Sequence, residues 1–353
     1  MTDTALRPAV PGVTAGVGPV RLPSPGTRRA LGHAVQHLVR TGATAGSVVA
    51  QPRHQLPPDL VCRLTELIGP PADWRGYRVL RGLFDGLGEP GPTPVHWSEP
   101  TGPADLPHEL ALALVGRLLG EVFGWANQQD GRLVHNILPS PGQETRQVGA
   151  SSTLALAWHT EDGFHPERAD FLLLACLRNP GLTGTRLACV RDIELSDEDA
   201  ALLGRPGLVI DPDDSYEPDP REGDHAPGIR TVWGAPDARC VRYDPAYTRL
   251  LARDPDFAQA YARLQPAFDR HAVEIGLAPG DLLLVDNDVM VHGRSAFPPR
   301  YDGSDRWLKR VLVRSTGTGR PARPPQEELE HGFGQHRVRP ARGTIPPLPT
   351  TDH

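Results

Sequence analysis

The chain has 353 residues, room for one large domain or two ordinary ones, and 39% hydrophobic content, a little low for a globular protein because 39 prolines and 37 glycines crowd its ends and connections. A formal charge of -6 with no block of like charge argues against nucleic acid as a partner. Four scattered cysteines (Cys62, Cys176, Cys189, Cys240) without a C-x-x-C pair argue against a disulfide framework or a zinc site, and fit reduced thiols in a cytoplasmic protein.

Residues 1–27 are rich in Pro, Gly, Val and Thr and read as a flexible N-terminal segment, with no basic stretch and apolar core of a signal peptide. Leu31, Val35, Leu38 and Val39 fall at helical spacing within 28–40, and a second helix is expected after Pro57-Pro58 with Leu60, Leu64 and Leu67 on one face. Tyr77 to Leu80 reads as a strand and 84–103 as a Gly/Pro loop. Leu106 to Phe123 is the strongest helix of the first half, yet its apolar stretch is too short to cross a membrane.

From Arg132 the texture changes to short apolar runs separated by turns, at 132–138, 153–158, 170–177, 186–191, 207–210, 239–243, 281–285 and 308–314. Such runs fit a double-sheet antiparallel architecture, with helical interruptions near 196–203 and 255–275. The acidic, Pro-rich stretch 211–229 reads as a long loop of the kind that forms lids, and everything after Ser315 as a Pro/Arg-rich surface tail, 316–353. The simplest partition is a single domain over 28–315, with N-terminal helices at 28–125 and a β core at about 130–315.

The chemistry is carried by two distant segments. His159 and Glu161, two apart at the end of an expected strand, point to one face. His292 follows a turn–strand–turn over 279–287 that presents it near a sheet end. Two imidazoles and one carboxylate are the ligand set of a non-haem iron(II) centre with open positions. Taken singly, His159 is as well explained as a surface or core histidine, and His292 as a hydrogen-bonded residue at a strand end. Arg306 and Arg310 shift that balance. With Leu308 they share one face of an alternating strand, and an arginine facing a core needs an anionic partner. The distal carboxylate of a bound dicarboxylic acid would supply one. A zinc hydrolase is disfavoured because no H-E-x-x-H motif is present.

Four stretches together resemble the clavaminate synthase-like branch of the iron(II)/2-oxoglutarate-dependent oxygenases: 124–131, Trp158 to Pro166, Cys176 to Pro180, and His292 to Ser295 with Tyr301 to Trp307. Within the branch they are most similar to amino-acid hydroxylases of peptide-antibiotic pathways, those of arginine and asparagine among them. The resemblance covers roughly 105–315. It implies a mainly β, α+β overall fold, a distorted double-stranded β-helix (jelly roll) with helical support. It implies Fe(II) held by His159, Glu161 and His292, with 2-oxoglutarate and O2 as cosubstrates. Arg306 would hold the 5-carboxylate with Arg310 close by, helped by Thr185 or by the competing Thr183. For a free amino-acid substrate it implies Gln128 and Glu161 at the head group, the Asp213/Ser215 pair on the lid, and Asp244 at a guanidinium group.

Asp244 reads equally as the cap of the turn before Pro245. Ala246 stands where arginine-specific relatives carry a second acid, which leaves room for a related or smaller amino acid. The activity implied is hydroxylation of arginine or a related basic amino acid. Desaturation, hydroxylation of another small, asparagine-like amino acid or of a non-amino-acid substrate, and a non-catalytic jelly-roll binding protein are the rivals.

Overall fold

The computed structural model describes residues 19–51, 56–100, 102–216, 227–315, 317–325 and 335–338, and four of its α-helices lie before residue 120. Strand β1 (Val20–Arg21) leads into helices α1 (Pro25–Arg40), α2 (Ala45–Ala50) and α3 (Pro58–Ile68), then strand β2 (Tyr77–Leu80) and helix α4 (Leu106–Leu119). The starts are set by local chemistry. The Ser24 hydroxyl accepts from the Thr27 amide at 3.0 Å with Pro25 in the first turn, and Thr44 and Ser47 cap α2 reciprocally. Helix α4 stops earlier than the expected Phe123. Gly120 caps it, donating to the Gly116 carbonyl at 3.2 Å, and the β-branched and aromatic residues that follow form strand β3 (Glu121–Trp125).

The rest alternates short strands with two helices: β4 (His135–Ile137), β5 (Leu156–His159), β6 (Phe171–Arg178), β7 (Gly184–Cys189), α5 (Asp197–Leu203), β8 (Leu208–Ile210), β9 (Val232–Trp233), β10 (Cys240–Val241), β11 (Thr248–Leu250), α6 (Pro255–Arg270), β12 (Val273–Gly276), β13 (Leu282–Asp286), β14 (Met290–Arg294), β15 (Trp307–Arg314) and β16 (Arg337–Val338). The helix expected over 255–275 ends at Arg270, and Val273–Gly276 pairs antiparallel with β7 instead.

Two main sheets result. The larger has the order β1-β2-β13-β6-β15-β3-β16 with β4 also on β15; the smaller is β12-β7-β14-β5. Apart from the parallel β1–β2 pair, the ladders are antiparallel. The period of two sorts the central strands onto two cores. Leu172, Leu174, Leu283, Val285, Leu308 and Leu312 share one cluster with Leu187 and Val291 of the smaller sheet. Phe171, Leu173, Leu282, Leu284, Val311 and Val313 share the other with α1, α3 and α4. Strands buried on both faces read as continuous apolar runs, and each fully buried Leu or Val contributes about 1.5–3 kcal/mol. Arg306 directly precedes β15 and Arg310 lies on it between Leu308 and Leu312; both are buried.

The tail expectation is corrected for its described part. Arg320 and Arg323 are inserted among Asp170, Asp286 and Asp288, and β16 pairs with β3. Carboxylates buried behind the sheet need counter-charge, and these arginines provide it. Residues 1–18, most of the expected flexible segment, and 217–226 of the expected lid lie outside the described residues. Cys62, Cys176, Cys189 and Cys240 are all free, and only Cys62 is exposed. Among the described residues, no helix is long and apolar enough to cross a membrane.

Candidate active site

Strands β5 and β14 are antiparallel neighbours, and their register sets His292 directly opposite His159. Cross-strand partners project to the same face, so the imidazole centroids come within 4.1 Å. Gly293 permits the approach: a Cβ there would lie 2.6 Å from the Leu156 carbonyl oxygen. His292 therefore sits inside the smaller sheet rather than near a sheet end. Glu161 follows β5, and its Oε2 is 3.9 Å from His159 Nε2 and 3.3 Å from His292 Nε2. One ligand atom from each of the three lies within 4.8 Å of the others, the arrangement of a mononuclear metal site.

The protonation states suit a cation. His159 Nδ1 lies 2.9 Å from the Ala157 carbonyl, which can only accept, so Nδ1 carries the hydrogen and Nε2 keeps its lone pair. Burial, then the neighbouring His292, lowers the His159 pKa to about 3 and keeps the ring neutral. Burial alone would push the Glu161 carboxyl up, but the Arg310 guanidinium and then the His292 hydrogen bond hold it well below the usual carboxylate range. The ring atom His292 Nδ1 is buried without a hydrogen-bond partner.

The three residues line a cavity of about 280 Å³ with Gln128, Thr185, Asp213, Ser215, Asp244, Arg306 and Arg310. Every site residue expected from the sequence is thus gathered in one place. Two expectations are refined. Thr185 lies 3.4 Å from Arg306 Nη2, whereas Thr183 is tied into the Asn179 turn through its backbone. Arg310 has partners that Arg306 lacks: it ion-pairs with Glu161 and donates to His135 Nδ1 at 2.7 Å and Gln128 Oε1 at 3.4 Å.

Arg306 is 6% exposed, its Nε has no partner, and among the described residues no carboxylate pairs with it. Burial lowers its pKa to about 10. A buried guanidinium without a carboxylate partner is free to receive an anion.

At the other side Gln128 Nε2 donates to Ser215 Oγ at 2.8 Å, which ties the β3–β4 connection to the segment carrying Asp213. The Asp213 carboxylate accepts the Ser215 amide at 2.7 Å. Burial raises the Asp213 pKa to about 6, and burial followed by the Asp213 charge raises that of Asp244 to about 8. Asp244 also accepts the Ala246 amide at 3.1 Å, so it caps its own turn and faces the cavity at once.

Three supporting groups were not singled out from the sequence. His135 is buried, with Nε2 donating to the Arg132 carbonyl at 2.9 Å, which leaves Nδ1 as the acceptor that orients Arg310. Burial, then Arg310, lowers its pKa to about 3. Asp162, at φ 52°, accepts from Trp125 Nε1 at 2.8 Å and from the Tyr216 hydroxyl, fixing the bend after Glu161. Asn287 holds the Glu161 backbone. Apart from the left-handed turn marked by Asp162-Gly163, no short-range sequence signal exposes them.

Comparison with known proteins agrees with this geometry. The L-ornithine/L-arginine 3-hydroxylase of Catenulispora acidiphila is 36% identical over 71% of this chain and 80% of its own length. The L-asparagine oxygenase of Streptomyces coelicolor is 40% identical over 67% of this chain and 71% of its own. The crystal structure of the non-heme iron oxygenase OrfP with Fe, succinate and (3S)-hydroxy-L-Arg superposes with a TM-score of 0.74 at 36% identity, covering 84% of this chain and 94% of that one. Residues 105–312, more than half of the chain, match the family described as taurine catabolism dioxygenase TauD, TfdA. The chain belongs to the TauD/TfdA family of dioxygenases.

Proposed function

We propose that the protein is an iron(II)/2-oxoglutarate-dependent hydroxylase of a free L-amino acid with a basic side chain, arginine or a related residue, built on a distorted double-stranded β-helix. The observation that carries the reading is the content of one cavity: a two-histidine, one-carboxylate set, a buried guanidinium with no carboxylate partner among the described residues, and two half-buried carboxylates beyond them. OrfP has been solved with Fe and alpha-ketoglutaric acid, which is in keeping with it.

His159, Glu161 and His292 would hold iron(II), leaving positions open for small ligands. Bound there, the metal supplies dioxygen activation coupled to oxidative decarboxylation of 2-oxoglutarate. The overall balance is substrate C–H plus O2 plus 2-oxoglutarate giving C–OH, succinate and carbon dioxide. The remaining work is positioning and exclusion of water. Arg306 and Thr185 receive the distal carboxylate of the cosubstrate. Arg310, oriented by His135, and Gln128 offer donors to the α-carboxylate of the amino acid, and Glu161 lies where it also meets the α-amine. Leu172, Leu174 and Leu308 give the cavity an apolar wall.

Asp213 and Asp244 set the side-chain preference. A neutral amide side chain would leave both carboxyls without a counter-charge, whereas a guanidinium or ammonium group would ionise them and pair with them. The test is a screen of the proteinogenic L-amino acids and basic analogues with iron(II) and 2-oxoglutarate, read by mass gain of one oxygen atom. Turnover of basic amino acids is expected; turnover confined to neutral ones would overturn the side-chain assignment.

A further inference from the structure

Glu161 sits past the end of β5 and has no ladder partner of its own, so something else must fix the backbone that presents its carboxylate. Asn287 does this. Its Oδ1 accepts the Glu161 amide at 2.9 Å and its Nδ2 donates to the Glu161 carbonyl at 3.0 Å. The same Nδ2 donates to the Ala169 carbonyl at 3.0 Å, and the side chain is fully buried. Asn287 stands in the turn between β13 and β14, and β14 carries His292. One amide side chain therefore connects the backbone of one metal-type ligand to the turn that delivers another.

That turn is clamped from behind. Asp286 accepts from Arg320 Nη1 at 2.7 Å, and Asp288 accepts from Arg323 Nε at 2.8 Å. Arg320 also reaches Asp170 at 2.6 Å and Asp288 at 3.2 Å, while Arg168 holds the far side of Asp288 at 3.0 Å. Asp286 and Asp288 flank Asn287, and Asp170 accepts the Asn287 amide through its carbonyl at 2.9 Å. The arginines come from the segment after β15, outside both sheets. Removing both would leave three buried carboxylates in excess of the cations around them, and the turn would have to move to rehydrate them.

We propose that Asn287 is a positioning residue for the metal carboxylate and that the Arg320/Arg323 arm locks it in place, so this C-terminal segment sets the metal affinity of the site without touching the metal. The inference rests on the metal reading above. Its neighbour Glu161 is held by two bonds to one rigid amide, and the rigidity of that amide is supplied by residues more than 30 positions further along the chain.

The test uses the full chain and Co(II) as the probe, followed through its ligand-field absorption. Wild type is compared with Asn287→Ala, with the pair Arg320→Met/Arg323→Met, and with all three changes together. Titrations are run at a temperature where near-ultraviolet circular dichroism shows each variant folded. The arginine pair is expected to raise the Co(II) dissociation constant at least tenfold and to change the ligand-field spectrum. It is expected to add nothing on the Asn287→Ala background. Unchanged affinity and spectrum in the arginine pair, or losses that simply multiply in the triple variant, would overturn the proposal. If either of these variants does not fold, Arg323→Lys alone decides: weaker Co(II) binding with a shifted spectrum supports the lock, and wild-type binding overturns it. Absence of any Co(II) spectrum in wild type would remove the metal reading and this inference with it. Normal wild-type binding with unaffected variants removes the arm alone.

Discussion

Replacing Arg306 by Met separates binding from stability, because the two should move in opposite directions. The guanidinium is buried, its Nε lacks a protein partner, and no carboxylate among the described residues pairs with it. A buried unsatisfied polar group costs about 1–3 kcal/mol, and more when charged. Met fills a similar volume without that cost, so the apo variant is expected to melt a few degrees higher. The cosubstrate loses the guanidinium proposed to receive its distal carboxylate. Truncating one side of a buried charge-assisted pair costs about 2–5 kcal/mol, which corresponds to a roughly 30- to 4000-fold rise in the KM for 2-oxoglutarate. The assays are differential scanning fluorimetry without ligands and succinate formation at varied 2-oxoglutarate. A variant that melts lower and keeps its KM would show that Arg306 is a structural arginine and refute the reasoning.

The substrate end makes its own predictions. Asp213 and Asp244 have pKa values raised to about 6 and about 8, so a cationic side chain must displace protons to bind. Affinity for a basic amino acid should therefore rise as pH is raised from about 6 to about 8, and level off once both carboxyls are ionised; a flat KM over that window would contradict the assignment. Asp244→Asn should abolish the upper part of that dependence and raise the KM of the basic substrate at least tenfold while leaving that of 2-oxoglutarate within about twofold, since a lost charged hydrogen bond is worth about 1.5–3 kcal/mol. Equal effects on both constants would make Asp244 only the cap of its turn. His292→Ala should remove succinate formation while leaving the circular dichroism spectrum native, and retained turnover would exclude it as a ligand.

Much of this was visible in the sequence because it depends on short-range pattern. Continuous apolar runs marked β6, β13 and β15, and alternation put Arg306, Leu308 and Arg310 on one inward face. The His159/Glu161 spacing marked a shared face at a strand end. What stayed hidden depends on register and on partners far apart in the chain. Nothing local says that His292 lies opposite His159, because antiparallel register is a property of two strands. Arg306 and Arg310 looked alike from their own strand. They differ only because Glu161, Gln128 and His135 converge at one end of it. The arm carrying Arg320 and Arg323 reads as a proline-rich tail, since its partners Asp170, Asp286 and Asp288 appear in sequence as isolated acids at the ends of apolar runs. Asn287 has the same disguise.

The central claim is that one cavity couples 2-oxoglutarate turnover to oxygenation of a basic amino acid. It is tested most directly by supplying iron(II), 2-oxoglutarate, heavy-isotope dioxygen and L-arginine or a close basic analogue, and following both products by mass spectrometry. The account predicts succinate and a singly oxygenated amino acid in near-equal amounts, each carrying label from dioxygen. Succinate formed at the same rate with or without any basic amino acid, and no oxygenated product, would contradict it.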